Sequence, residues 1–257
     1  MNPSPPKNLL LVDIGNSRTT FARSVSGTIE PTFSVETSES LSDRVPSDRE
    51  ILLGSISPDE IRLVSVVPQA TLRLRTLLER LFSGVTIRII THEMVSMVSL
   101  YEPSASLGID RLLASFGAWK IFGEPQQKGV IAVDLGTATT FNCVKSEGVF
   151  LGGAISLGIR STLEALSEKT AQLPKAELEF PRTVLARTTE QSIRSGVLWG
   201  GISAIEGMID ALKVEAFPNS MPLVILTGGL SELMAPHLTG IDHLRPNLLL
   251  ESLAMLP

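Results

Sequence analysis

Leu9–Thr20 reads LLLVDIGNSRTT. Four apolar residues run into Asp13, then come Gly15, Asn16 and Ser17, then Thr19 and Thr20. An apolar run of this length predicts a buried strand, and a carboxylate at its end marks where the chain reaches solvent. A glycine-bearing polar turn lets backbone N–H groups and hydroxyls approach an anion closely, which suits a phosphate and its metal. By itself the stretch also fits an ordinary hairpin turn. What adds weight is its echo at Val130–Thr140, VIAVDLGTATT, where an apolar run again meets an aspartate (Asp134), a glycine (Gly136) and hydroxyl residues. The two aspartates lie nearly half the chain apart, so the pattern predicts a duplicated fold.

Composition narrows the options. At 257 residues the chain can form one large or two small domains with a real core. Hydrophobic residues make up 43% and aromatics only 5%, so that core must be aliphatic. The net charge is −5 and no basic run is present, which argues against a nucleic-acid surface. One cysteine, Cys143, excludes an internal disulfide and a cysteine-built zinc site; its apolar strand context predicts inert core. His92, His237 and His243 show no metal-ligand spacing. The start MNPSPPKN lacks the apolar run of a secretory signal, and no apolar run reaches the ~20 residues that span a bilayer. The cytoplasm is the expected compartment, with no membrane or nucleic-acid partner.

In chain order, strands are expected at Leu9–Asp13, Thr19–Ser24, Thr28–Val35, Arg62–Val67 and Val85–Ile90, with a turn at Ser26–Gly27. A short helix is expected within Ser38–Pro46, and leucines at 72, 74, 77, 78 and 81 predict a helix over Ala70–Phe82. Residues His92–Leu107 read as loop, and Asp110 and Arg111 open a helix to Phe122. Aspartate suits a first helical turn and arginine does not, so Arg111 calls for an anionic partner or a surface salt bridge. The second half has strands at Val130–Asp134, Thr139–Lys145, Val149–Leu151 and Leu223–Thr227. A glycine-rich passage, Gly152–Gly158, leads into a helix at Ile159–Lys169, and a long helix runs from Thr188/Thr189 to about Ala216. Gly196, Gly200 and Gly201 on that helix suggest close packing against a neighbour. The repeated β-β-β-α order gives an α/β fold class: duplicated domains, each a mixed sheet flanked by helices, with a cleft between them. The boundary is expected near 125/126, giving domains 1–125 and 126–257.

Two DxG strand-turns with a Thr227-Gly228-Gly229 turn resemble the actin-like, ribonuclease-H-like ATPase superfamily. GIDR at 108–111, DLGTATT at 134–140, GGAISLG at 152–158, TTEQSIRSG at 188–196 and HLRPNLLLESL at 243–253 are similar, within it, to type III pantothenate kinase. The resemblance covers Leu9 to about Leu253, and GIDR followed by DLGTA is its specific part. It implies transfer of the ATP γ-phosphate to the primary hydroxyl of pantothenate, giving 4′-phosphopantothenate, the first step toward coenzyme A. Asp13, Ile14, Gly15, Asn16, Ser17, Arg18, Thr19 and Thr20 would form the phosphate-binding hairpin, with Asp13 holding Mg²⁺ through water. Gly108, Ile109, Asp110 and Arg111 would hold pantothenate, with Asp110 as general base. Tyr101 and Thr189 would contact the same substrate, Thr189 from the other subunit of a homodimer. Asp134 would hold a monovalent cation, K⁺ or NH₄⁺; Thr137 would touch ATP, and Gly228 and Gly229 would lie near it.

The chemistry agrees with these residue types. Phosphoryl transfer needs alignment, neutralisation of phosphate oxygens and an acceptor for the hydroxyl proton. Magnesium keeps several waters and asks for few carboxylates. Arg111 suits a carboxylate or phosphate clamp. Plainer readings stand beside some of these roles: Thr189 as a helix N-cap, Tyr101 as a half-buried core phenol, Asp110-Arg111 as a surface pair. The chain departs from the family pattern at Ser17 for threonine, at Asn142 for an acidic residue, and at Leu157 for proline. These departures motivate a second class of function, a weakly active or non-catalytic accessory relative. The intact Asp13, Asp110, Arg111 and Asp134 speak against it.

Overall fold

The computed structural model describes residues 8–40 and 56–257. Most of the stretch at Ser38–Pro46, where a short helix is expected, falls outside these residues. The chain divides into two compact units. Among the described residues one takes in the chain to Ser96, then Ala105–Gly117 and Leu249–Pro257; the other takes in Met97–Ser104 and Ala118–Leu248.

The first unit is built on a five-stranded sheet. Its strands are β1 (Asn8–Ile14), β2 (Arg18–Val25), β3 (Thr28–Glu36), β4 (Glu60–Ser65) and β5 (Thr86–Ile89), in the order β3-β2-β1-β4-β5. β1 to β3 are antiparallel and β1, β4 and β5 parallel. Ser26 and Gly27 both take positive φ, the signature of the two-residue turn whose twist matches the strands. Leu9, Leu10, Leu11 and Val12 of β1 are all buried, as a central strand covered on both faces requires. Leu10, Val12 and Ile14 pack with Phe21, Leu63 and the inner face of α2 (Pro68–Leu81), which supplies Ala70, Leu74 and Leu78. A one-turn helix, α1 (Thr37–Ser40), follows β3, and α3 (Ile109–Ala118) completes this half's main helices.

The second unit repeats the scheme. β7 (Val130–Leu135), β8 (Ala138–Val144), β9 (Val149–Leu157), β10 (Leu223–Thr227) and β11 (His243–Leu244) take the order β11-β10-β7-β8-β9, with β6 (Val98–Ser99) added beside β9. β7 to β9 are antiparallel and β7, β10 and β11 parallel, matching β1 to β5 one for one. The fold is therefore the expected duplicated α/β one. Its core joins Ile131, Val133 and Phe141 to α5 (Ile159–Lys169) and α6 (Thr189–Ala216) through Ile159, Leu163, Val197, Ile202 and Ile205. Among the described residues the remaining α-helices are α4 (Glu124–Gln126) and α7 (Ser231–Met234) in this unit and α8 (Leu248–Met255), which from Leu249 on belongs to the first.

Four local differences from the sequence reading have physical causes. Gly152–Leu157 is strand, not a passage: it pairs with β8 through Ala138–Cys143. The glycines are there because Gly153 lies against the neighbouring backbone, where a Cβ would stand 1.7 Å from the Phe141 carbonyl oxygen. The loop-rich His92–Leu107 hides β6, too short to show a period. The helix after Asp110 changes at Trp119–Gly123 into a π turn. There the Trp119 indole N–H donates to the Ser146 carbonyl (2.9 Å) and its ring covers Gly148. On α6, among the described residues, Gly201 packs closely against Ile159, while Gly196 and Gly200 face open space.

Gly153→Ala is expected to lower unfolding free energy by about 1–3 kcal/mol, the usual cost of overpacking, because backbone rather than a flexible side chain must give way. Urea denaturation checks it; an unchanged midpoint would contradict the close β8–β9 approach.

Candidate active site

In the first unit the β1–β2 hairpin pairs Asp13 with Thr20 and Ile14 with Thr19. Asp13 is half-buried where β1 ends, and Asn16, Ser17 and Arg18 are exposed at the tip. The Gly15 N–H donates to the Arg18 carbonyl at 2.9 Å. The tip is braced from outside by Thr37: its N–H donates to the Ser17 carbonyl (2.9 Å), its hydroxyl to the Gly15 carbonyl (2.6 Å), and it meets the Thr19 hydroxyl at 3.2 Å. Arg18 Nε donates to Ser34 Oγ at 3.0 Å, and Thr20 Oγ1 meets the same hydroxyl at 3.1 Å. The arginine thus lies along β3. Thr37 and Ser34 are parts of this hairpin that sequence reading missed. They follow the tip by about twenty residues, and no local pattern links them to it.

The same unit carries Gly108–Arg111. The His92 ring Nε2 bonds the Leu107 carbonyl at 2.6 Å, fixing the approach to α3. A Cβ on Gly108 would sit 2.4 Å from Asp110 Oδ1, so any side chain there would turn that carboxylate out of its place. That carboxylate oxygen accepts the Arg111 N–H at 2.8 Å, satisfying one of the orphan donors of the first turn. Ile109 and Arg111 are buried and Asp110 is half-buried. The alternative of an exposed surface pair therefore does not hold for Arg111. A buried guanidinium needs compensation, and buried arginines are suited to held anions.

In the second unit the corresponding hairpin pairs Asp134 with Thr140 and Leu135 with Thr139, and Gly136 N–H donates to the Ala138 carbonyl at 3.1 Å. Other glycines close on it. A Cβ on Gly228 (φ +92°) would stand 2.2 Å from Asp134 Oδ1 and 2.7 Å from the Leu135 nitrogen. One on Gly158 would stand 2.3 Å from the Gly136 carbonyl oxygen and 2.6 Å from that of Thr137. The Thr137 carbonyl accepts from Gly158 N–H (3.0 Å) and from the Ser161 hydroxyl (2.9 Å). Asp134, Gly136, Thr137, Gly158, Ser161 and Gly228 are thus one assembly; Gly229 next to it faces open space. Sequence reading named Asp134, Thr137 and the TGG turn but assigned no part to Gly158 or Ser161.

Tyr101 and Thr189 come from other places in this unit. The Tyr101 ring meets Phe150 edge-on at 6.1 Å between centroids and is half-buried. Thr189 is the first, exposed residue of α6, and the cap is Thr188, whose hydroxyl accepts the Gln191 N–H. The capping role considered for Thr189 thus falls to its neighbour. Cys143 is buried, and burial, aided by the Glu215 charge, pushes its thiol up to about 12, so it stays protonated and inert at neutral pH.

Thr188→Ala is expected to cost about 1 kcal/mol of stability through the lost cap. Thr189→Ala should leave the denaturation midpoint in place, which separates any ligand role of Thr189 from a structural one. A larger stability loss in Thr189→Ala than in Thr188→Ala would reverse the assignment.

Comparison with known proteins identifies the family. Residues 9–211 match the family model of type III pantothenate kinase. The chain is 36% identical to the type III pantothenate kinase of Chlorobaculum parvum over 91% of its length and 88% of that protein's. It is 32% identical to that of Thermus thermophilus, covering 95% of this chain and 96% of the relative. Among solved structures, the ethanolamine utilization protein EutJ of Carboxydothermus hydrogenoformans superposes with a TM-score of 0.51 at 14% identity, over 100% of this chain and 92% of that one, a likeness of fold alone. By the match over residues 9–211 and by relatives of this identity across most of its length, the chain belongs to the type III pantothenate kinase family.

Proposed function

We propose that the chain is an ATP-dependent kinase that transfers the γ-phosphoryl group to the primary hydroxyl of pantothenate, giving 4′-phosphopantothenate and ADP. Membership of the family supports the reaction. The observation that supports its assignment to residues is the start of α3, where the half-buried Asp110 carboxylate accepts the backbone N–H of the next residue, the buried Arg111.

In this reading Asp110 accepts the hydroxyl proton as the oxygen attacks the γ-phosphorus, and Arg111 holds an anionic group of the substrate. Tyr101 and Thr189 contribute further contacts to pantothenate. The Asp13–Thr20 hairpin offers N–H groups and hydroxyls to the ATP phosphates, and Thr137 contacts the nucleotide. The glycines packed on Asp134 leave that turn without side-chain bulk, which suits close approach of a nucleotide.

The residues present fit the metals the reaction uses. Asp13 is a single carboxylate at a strand end, and Mg²⁺, which keeps several waters, needs no more from the protein. It would supply charge neutralisation for the phosphate oxygens. Asp134 stands at the Gly136–Thr137 turn, and in this reading its carboxylate supplies the charge that would hold K⁺ or NH₄⁺. Among the described residues no helix is long and apolar enough to cross a membrane, and a cytoplasmic enzyme is our reading.

The homodimer is part of the proposal. Along α6, Gly196, Gly200 and Gly207 face open space, Val214 is 76% exposed, and Val184 and Leu185 lie bare before the helix. An exposed helix face of this kind favours close packing of a second copy, and Thr189 stands at its head.

Pure protein incubated with ATP, Mg²⁺ and pantothenate should give phosphopantothenate by mass spectrometry, with more product when K⁺ is added; no product under any condition removes the proposal. Asp110→Asn is expected to lower kcat by ~10²–10⁴, and full activity in that variant would discard Asp110 as the base. For the dimer, Gly200→Arg should shift gel filtration from a dimer to a monomer position and lower activity together with it. A wild-type chain that elutes as a monomer would undo the shared site.

A further inference from the structure

The β4 strand, EIRLVS, puts an arginine in the middle of a buried strand. Arg62 is 2% exposed, in a sheet whose neighbouring positions Ile61, Leu63 and Val64 are fully buried. A guanidinium in such a place must find acceptors for its donors and a charge to offset its own. Glu60, two residues back and so on the same side of the strand, accepts from Nε at 3.1 Å. The other end reaches across to α8. Arg62 Nη1 donates to the carbonyls of Leu253 (3.2 Å), Ala254 (3.1 Å) and Leu256. The first two are last-turn carbonyls that no helix can satisfy internally, at the negative end of the helix dipole, and Leu256 lies just past the helix end. Arg88, which pairs with Arg62 across β4 and β5, bonds Glu60 at 3.2 Å and the Pro257 carbonyl. One glutamate between two arginines thus fixes the end of α8 to the sheet.

α8 is also packed closely on α3. Ser252 lies so close to Gly117 of α3 that a Cβ on Gly117 would stand 1.8 Å from Ser252 Oγ and 2.8 Å from its Cβ. Gly117 is seven residues beyond Asp110, two helical turns along the same face, roughly 10 Å down the axis. All of these residues belong to the first unit.

We propose that Arg62 and α8 form a strut that sets the position of α3, and with it Asp110 and Arg111, for the reaction. Arg62 is a positioning residue: it acts on the carboxylate through α8 and the Gly117–Ser252 contact. This rests on the function proposed above. A helix is stiff along its axis, so a displacement at Gly117 is carried to its first turn, and a misplacement of ~1 Å at a reacting centre lowers rate by up to ~10²-fold.

The test uses the full chain and four variants. In Gly117→Ala the new methyl group displaces α3 from α8. Its kcat should fall ~10–10²-fold, the KM for ATP should stay at the wild-type value, and circular dichroism should show a folded protein at the assay temperature. Adding Ser252→Gly to Gly117→Ala restores the space and should restore most of kcat. Arg62→Lys keeps a charge but cannot bridge Glu60 and several carbonyls, and should lower kcat in the same selective way; Arg62→Met should do so more strongly. If Arg62→Met does not fold, Arg62→Lys and the Gly117 pair decide the matter. Wild-type kcat in Gly117→Ala and Arg62→Lys, or a loss that only follows the fraction unfolded, overturns the strut. Absence of phosphopantothenate with the wild-type chain would instead overturn the function itself.

Discussion

The cost of burying charge is the constraint on which this structure turns. β1 and β7 are covered on both faces, so a carboxylate can be kept only where each strand runs out. Asp13 and Asp134 stand at those two ends, half-buried, each followed at once by a glycine turn. Where charge does go deeper it is compensated. Arg62 is surrounded by Glu60 and the carbonyls of α8. At Asn142, where the family resemblance leads one to expect an acid, the side chain is 1% exposed and its amide donates to Thr140 Oγ1 at 3.1 Å. The Thr140 hydroxyl could serve an amide or a carboxylate, but the neutral amide brings no charge to this buried position. The substitution is coherent with its surroundings.

Much of the fold was legible because its signals are local. The aliphatic run into Asp13, the leucine spacing of α2, the extent of α5 and the Ser26–Gly27 turn all follow from period and turn chemistry within a few residues. The repeat of DxG turns carried the duplication, and the matching order of strands in the two sheets bears it out. The strand character of Gly152–Leu157 was hidden because glycine has no strand preference; its reason, the approach to the Phe141 carbonyl, lies on another strand. Gly196 and Gly200 misled in the opposite way: glycine signals close approach only when something approaches, and none of the described residues does.

The site divides along the same line. The residues proposed for the chemistry, Asp13, Asp110, Arg111 and Asp134, rest on spacing and resemblance. The residues that hold them could not be named that way. Thr37 braces the hairpin tip from beyond β3, His92 fixes Leu107, and Ser161 with Gly158 pins the Thr137 carbonyl. Each is an ordinary residue of ordinary sequence context whose importance is a matter of where the fold delivers it. The Thr188–Thr189 pair shows how fine the margin is. One residue of difference decides which hydroxyl caps α6 and which is left exposed.

The duplication also shows how one scheme is turned to unequal ends. Both hairpins pair their aspartate with a threonine and close with a glycine N–H to carbonyl bond, but the first has one more residue between the paired positions. Its tip carries Asn16, Ser17 and Arg18 to solvent and is braced by hydroxyls. The second tip is shorter and packed against Gly158 and Gly228, where no side chain fits. Hydroxyl and amide contacts adapt to a ligand by small rotations; a turn enclosed by backbone does not. In the proposed reaction the phosphate chain has many oxygens to be met in several charge states, which suits the first arrangement. A cation and the adjoining part of the nucleotide ask for fixed oxygens, which suits the second. The extra residue at the first tip and the glycines around the second are thus the same adaptation made in opposite directions.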